Sequence, residues 1–227
     1  MVTTAVIPAR GGSKGVPGKN LRTVGGISLI ARCVRAAKSA KLIDHVFVST
    51  DSTDIAKAAT DEGAGAIERP GELADDHASS ESALLHALDY LQTIGLETDV
   101  LVFLQCTSPF TTGEQIDKVI SAISAPNVNM AFSAVNWHGF LWYANDNGEG
   151  VGVNHDETKP RSRRQDLSQC FLETGAIYVM RAKEFLKHKS RFIPPMMPIE
   201  IDGWCPEIDS MNDLAICDHL SPILDKK

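Results

Sequence analysis

The sequence predicts an α/β fold with a mostly parallel sheet covered by helices on both faces. Three observations carry this: short apolar β-prone runs, several nearly continuous; helix-period stripes between them; and a regular alternation of the two. A strand buried on both faces has no polar side, so it reads as an apolar run rather than an alternation. The runs are TTAVIPA (3–9), HVFVST (45–50), VLVFLQ (100–105), MAFSAV (130–135) and AIYVMR (176–181).

After the first run, Ile27, Leu29, Ile30, Val34 and Ala37 form one helical stripe that ends near Lys38 and Lys41. Ile55, Ala58 and Ala59 form a second, stopped by Gly63. Ser80, Ala83, Leu84, Ala87, Leu88 and Leu91 form a third, with Ser79 before it as a cap, and Ile116, Val119, Ile120 and Ile123 a fourth, broken by Pro126. Four strand-then-helix units predict a single domain over 1–227.

The alternation fails between Asn136 and Leu172. This stretch is rich in Gly, Asn, Asp and Arg, carries Trp137 and Trp142, and has neither period. It is expected to leave the sheet as an inserted segment. Its apolar group Phe140, Leu141, Trp142 and Tyr143 needs cover, and a second subunit is the expected cover.

Charge is unevenly distributed. The net charge is −7, yet residues 1–43 hold eight cations and no acid, so the remaining 184 residues carry −15. Such a chain is not a general polyanion binder, which argues against nucleic acid as a partner, whereas a local positive cluster suits one small anionic ligand. Five widely spaced cysteines without a Cys-x-x-Cys pair read as reduced thiols. With no stretch long enough for a leader core or a membrane span, they predict a soluble cytoplasmic protein without a membrane partner.

The first run flows into Arg10-Gly11-Gly12-Ser13-Lys14-Gly15-Val16-Pro17-Gly18-Lys19-Asn20 ahead of a helix, the place where open α/β sheets bind ligands. Four glycines let backbone N–H groups approach a phosphate, and three cations supply charge. It is not a Walker A loop, because Ser13 and Asn20 occupy positions that motif reserves for Gly and Ser/Thr. The dinucleotide G-x-G-x-x-G spacing is absent too.

IPARGGSKGVPGKN resembles the signature of the sugar-acid cytidylyltransferases, in particular the N-acylneuraminate cytidylyltransferases (CMP-sialic acid synthetases). The landmarks STDS (49–52), ERPGELADDHASSESALLHAL (68–88), LQCTSPF (104–110), RRQD (163–166), ETGAIYV (173–179) and EIDSMNDL (207–214) follow in the family's order. The resemblance implies a Rossmann-like nucleotidyltransferase fold, a homodimer whose excursion reaches the partner, and transfer of CMP from CTP to the anomeric hydroxyl of a nonulosonic acid, with Mg²⁺ (or Mn²⁺).

By that resemblance Arg10, Lys14 and Lys19 hold the triphosphate and stabilise departing pyrophosphate. Arg10 suits bidentate contact, whereas the lysines act as point charges. Glu207 and Asp209 are the expected metal ligands, since an i, i+2 pair lies on one side of an extended segment and Mg²⁺ takes carboxylate oxygens; Asp209 or Ser210 capping the helix from Met211 is the alternative. Asn20, Ser80 and Gln105 match residues around cytidine and substrate, while Ser80 could equally cap a helix and Gln105 end a strand. Arg69 and Arg164 match arginines near the triphosphate or the acid's carboxylate, and the Arg161, Arg163, Arg164 cluster could equally be solvated surface. At the metal site Glu207 stands where the family usually has Asp, its longer arm suited to acting through water; the other departures from the family pattern sit on the sugar side: Thr174 where bacterial sialate enzymes have Asn, Leu172 where some have Arg, and Cys106 where Pro is usual. They leave the acid open among sialic, legionaminic and deaminated neuraminic acids. His77, His138 and His155 read as structural or exposed, and Cys106 as packing.

Overall fold

The computed structural model describes residues 1–75, 78–161, 163–166 and 168–225, without the side chain of Arg164. The expectation for His77 therefore lies outside the described residues.

In chain order the strands and helices are β1 (Thr3–Pro8), β2 (Thr23–Val24), β3 (Ile27–Ser28), α1 (Leu29–Ser39), β4 (His45–Thr50), α2 (Thr53–Asp61), β5 (Gly65–Glu68), α3 (Ser80–Thr93), β6 (Val100–Leu104), α4 (Gly113–Ala122), β7 (Met130–Trp137), β8 (Trp142–Ala144), β9 (Gly150–Gly152), β10 (Cys170–Arg181), α5 (Ala182–His188), β11 (Met196–Glu200) and α6 (Met211–Leu224). Seven strands form one sheet in the order β11-β7-β10-β6-β1-β4-β5. The four strand-then-helix units are all present, and the sheet is mostly parallel: β6, β1, β4 and β5 run together, and β7 pairs parallel with β11.

Two apolar clusters show that both faces are covered. On one face Ala5, Ile7, Val102 and Leu104 meet Leu29, Ile30 and Val34 of α1, Ile116 and Val119 of α4, and Leu214 of α6. On the other, Val6, Leu101 and Phe103 meet Leu84, Leu88 and Leu91 of α3 and Phe185 of α5. Consecutive strand residues thus serve opposite cores, the period-2 consequence of a pleated strand. Side-chain caps fix the helix starts, with Ser28, Ser52, Ser79, Thr112 and Ser210 each accepting a first-turn N–H.

Two expectations need correction. The run 176–181 belongs to β10, which is antiparallel to both neighbours, β6 and β7. A buried apolar run does not encode direction; β10 returns directly along β7, as a hairpin does, whereas a parallel return needs a crossover. Nor does the whole segment 136–172 leave the sheet, because Cys170 pairs with Trp137, Phe171 with Asn136 and Leu172 with Val135. The β7–β10 ladder extends into an arm, and only residues 138–169 depart from it, carrying the small β8–β9 hairpin.

Candidate active site

Parallel neighbours place the C-terminal ends of β1, β4 and β6 on one edge of the sheet, and the glycine loop leaves β1 there. The loop has defined anchors. Ala9 N–H donates to the Ser49 carbonyl at 2.9 Å, Gly11 N–H to Asp51 Oδ1 at 2.8 Å, and Val16 is fully buried. Gly18 takes a left-handed φ of 64° before the short turn Lys19–Leu21, a conformation glycine adopts without steric cost. A Cβ on Gly15 would run into the Asp209 carbonyl oxygen, so the loop and the 207–209 segment touch backbone to backbone.

Around this loop lies a hollow of about 310 Å³, lined among others by Arg10, Lys19, Asn20, Arg69, Ser80 and Gln105. Six predicted site residues thus come together from α3 and the connections after β1, β5 and β6. Arg10 donates to the Asp75 carbonyl at 2.7 Å, and Asn20 Nδ2 braces the Arg10 carbonyl at 3.0 Å. Arg69 is buried and donates to the Ser49 carbonyl at 3.2 Å, while its Nε finds no hydrogen-bond partner among the described residues. Burial pulls its guanidinium below the ordinary value; Asp51 opposes that shift and Arg10 adds to it. Ser79, rather than Ser80, caps α3, so Ser80 begins the helix at the rim of the hollow. Gln105 Nε2 donates to the Gly175 carbonyl at 2.6 Å. Lys14 is exposed on the loop and does not line the hollow.

The acidic side follows the alternation expected of an extended segment. Ile208 is fully buried, and Glu207 and Asp209 flank it on the exposed side. Lys19 Nζ reaches Asp209 Oδ1 at 3.1 Å and the Ile208 carbonyl at 2.8 Å. Glu207 Oε1 lies 3.4 Å from the Thr107 hydroxyl. Burial, and then the neighbouring Asp209, push the Glu207 carboxyl above the usual range. Capping of α6 falls to Ser210 with Asp213, which leaves the Asp209 carboxylate facing Lys19. Among the described residues no three His, Cys, Asp or Glu side chains form a metal cage. Two hard carboxylates beside a hollow lined by Arg10, Lys19 and Arg69 fit a Mg²⁺ that draws its other ligands from substrate and water.

Thr174 does not join the hollow. It is buried, with its hydroxyl on Ser133 inside the sheet. Arg164 lies in the arm, in the short turn Arg164–Asp166, and only its backbone is described. A larger hollow of about 610 Å³ lies in the arm among Trp137, Phe140, Trp142 and His155, away from the glycine loop. Sequence reasoning missed Asp51 and Thr107; the available signal was a polar residue just past the end of a parallel strand, at the sheet's ligand edge.

A family model described as cytidylyltransferase matches residues 4–194. The chain belongs to the cytidylyltransferase family. An N-acylneuraminate cytidylyltransferase of Oncorhynchus mykiss is 35% identical over 177 residues, which are 77% of this chain and 40% of that protein. A pseudaminic acid cytidylyltransferase of Campylobacter jejuni (strain 81-176) is 30% identical across 94% of both chains. This cytidylyltransferase-family chain therefore spans about 40% of the length of some curated relatives and nearly all of others. In fold it is similar to CMP:2-keto-3-deoxy-manno-octonic acid synthetase complexed with CTP, at a TM-score of 0.74 and 18% identity over 98% of this chain and 99% of that one.

Proposed function

We propose that this cytidylyltransferase-family protein transfers CMP from CTP to the anomeric hydroxyl of a nonulosonic acid and releases pyrophosphate. The observation that carries the reading is the convergence of Arg10, Lys19 and the buried Arg69 on one hollow at the ligand edge of the sheet, with two carboxylates beside Lys19. A buried cation costs solvation free energy that a phosphate can offset, so the hollow is built for an anion. The relatives named for N-acylneuraminate and pseudaminic acid support a nine-carbon sugar acid as acceptor.

In the reaction the acceptor oxygen forms a bond to the α-phosphorus, the bond from that phosphorus to the β-phosphate oxygen breaks, and the hydroxyl proton is released. Negative charge grows on the transferring phosphoryl and on pyrophosphate, so fixed cations contribute most of the catalysis. Arg10 and Lys14 act on the triphosphate. Lys19, tethered to Asp209 and the Ile208 carbonyl, is held between the phosphates and the acidic segment. Asn20 braces Arg10, Ser80 and Gln105 supply hydrogen bonds to base and sugar, and Arg69 anchors the inner phosphate side. A Mg²⁺ (or Mn²⁺) held by Glu207 and Asp209 would neutralise triphosphate charge.

We assign the protein to the cytoplasm and to a homodimer as part of the same reading. Five unbridged cysteines, the absence of a membrane-length apolar helix among the described residues, and the exposed aromatic arm support this. The test is incubation with CTP, Mg²⁺ and a panel of N-acetylneuraminic, legionaminic, deaminated neuraminic and pseudaminic acids, followed by mass detection of the conjugate. A CMP-sugar with at least one acid is expected. CTP binding without a conjugate or pyrophosphate would instead identify a nucleotide-sugar sensor.

A further inference from the structure

Behind the Gln105 side of the hollow, two hydroxyls are sealed inside the sheet. Ser133 is 1% exposed and Thr174 7%, and their oxygens lie 2.6 Å apart. They sit where the β7–β10 ladder slips. Ala134 pairs with Glu173 and Phe132 with Tyr178, so four residues of β10, 174–177, stand opposite Ser133 alone. A bulge of this kind strands backbone donors and acceptors that a buried site cannot leave unmade. The hydroxyl pair takes them up. Ile177 N–H donates to Ser133 Oγ at 3.0 Å, Ala176 N–H lies 3.4 Å from Thr174 Oγ1, and Thr174 Oγ1 donates to the Ser133 carbonyl at 3.1 Å.

The crest of the bulge is part of the site wall. Gly175, at a left-handed φ of 69°, presents its carbonyl to Gln105 Nε2 at 2.6 Å, and Gln105 N–H donates to the Ala176 carbonyl at 3.1 Å. A carbonyl can only accept, so the amide group facing Gly175 is the NH₂ and the orientation of Gln105 is fixed. A Cβ on Gly175 would meet the Glu207 carboxylate at 3.4 to 3.5 Å, so the same crest also backs that acid.

We propose that Ser133 and Thr174 are positioning residues for acceptor recognition: their buried hydroxyl pair holds the β10 bulge, and the bulge orients Gln105 toward the sugar acid. This rests on reading the hollow as a cytidylyl-transfer site. It assigns Thr174 an indirect role, through Gly175, rather than contact with substrate.

The test is steady-state kinetics with CTP and the best acceptor of the panel. One net hydrogen bond is worth roughly five- to tenfold, so Ser133→Ala and Thr174→Val should each raise the acceptor KM by that factor while leaving the CTP KM within about twofold. Thr174→Ser, which keeps the hydroxyl, should restore the wild-type value. In a Gln105→Ala background the two substitutions should have no further effect on acceptor KM, a coupling that a merely structural loss would not produce. Should Thr174→Val fail to fold, Ser133→Ala, which removes a single oxygen, carries the comparison. An unchanged acceptor KM, an equal rise in the CTP KM, or full additivity with Gln105→Ala overturns the proposal while the wild-type activity stands. A wild-type protein that forms no conjugate with any acid overturns the reading of the site, and this proposal with it.

Discussion

Arg10 and Asp51 act on the same loop in different ways, and substitution separates them. Arg10 lines the hollow and offers a planar fork to phosphate, so Arg10→Ala should lower turnover at least about tenfold, as loss of one preorganised charge contact does; near-normal turnover would remove it from the mechanism. Asp51 instead accepts the Gly11 N–H at 2.8 Å and offsets charge on Arg69. Asp51→Ala should therefore raise the CTP KM by roughly three- to tenfold, the weight of one net hydrogen bond on an exposed loop. Asp51→Asn keeps an acceptor and should recover most of it; an Asn variant as poor as Ala would mean that charge rather than loop anchoring dominates. These residues also mark what the sequence made legible. Arg10, Lys19 and Asn20 could be found because glycines and cations crowd one short loop. Asp51 was harder to find, since one acid after a strand has no motif of its own and is marked only by its place at the sheet's ligand edge. Thr174 was singled out by resemblance to a family position, and its seat on Ser133 inside the bulge at 174–177 could not be read from the sequence, because the bulge breaks the two-residue period of the strand.

At the level of elements, the parallel core strands and their helices were legible because burial on both faces leaves unbroken apolar runs. The edge strands β5 and β11 were not. β11 carries Pro198, which a strand interior excludes but an edge tolerates, and β5 is four residues long and begins with Gly65. α6 is an element whose anchoring can be tested by pH. Arg32 grips Asp225 with two bonds of 2.8 and 2.6 Å, and Gly25 N–H donates to Asp218 at 2.8 Å, so α6 is tied to the β2–β3 hairpin that follows the glycine loop. The Arg32 guanidinium holds the Asp225 carboxyl below the usual range. A depressed folded-state pKa stabilises the fold above the ordinary aspartate value and loses that contribution as pH falls through the lowered one. Asp225 is 40% exposed, which discounts the pair, so Asp225→Asn should cost only about 0.5 to 1 kcal/mol at pH 7. In urea melts the gap between variant and wild type should close as pH falls below about 4, the ordinary aspartate range. A gap that persists at pH 3 would show that packing, not charge, holds the helix end. Gly15 tests the other contact between elements: Gly15→Ala would force the loop away from the Asp209 carbonyl and should abolish turnover while leaving the far-UV circular dichroism unchanged.

For the whole molecule, the arm is the feature that one chain does not satisfy. The extended β7–β10 ladder carries Leu141, Trp142, Tyr143 and Leu172 away from both cores, and these side chains are 42%, 56%, 55% and 43% exposed. Scattered apolar residues are ordinary on a surface, but a run of large ones on a projecting element supports the proposed interface. Within the arm His155 packs edge-on against Phe140 and Trp142, at centroid distances of 4.7 and 4.6 Å, and Arg161 lies over Phe140 at 4.3 Å, so the arm has an ordered core of its own. A preorganised apolar surface loses little entropy on docking, which favours a second copy placed by a two-fold axis. Sedimentation equilibrium should therefore give twice the chain mass of 24.6 kDa at micromolar concentration. A double variant, Trp142→Ser with Tyr143→Ser, should sediment as a monomer, because both aromatics are more than half exposed, Trp142 beyond its edge contact with His155, and truncating two such anchors removes several kcal/mol of association. Its thermal transition should lie close to that of the ligand-free wild type if the sheet folds without the partner, and its activity shows whether the arm also completes the partner's site. A wild-type protein that stays monomeric up to about 100 µM would correspond to a dissociation constant too weak for a standard interface. In that case the cover for Trp142 and Tyr143 would have to come from something other than a second copy of this chain.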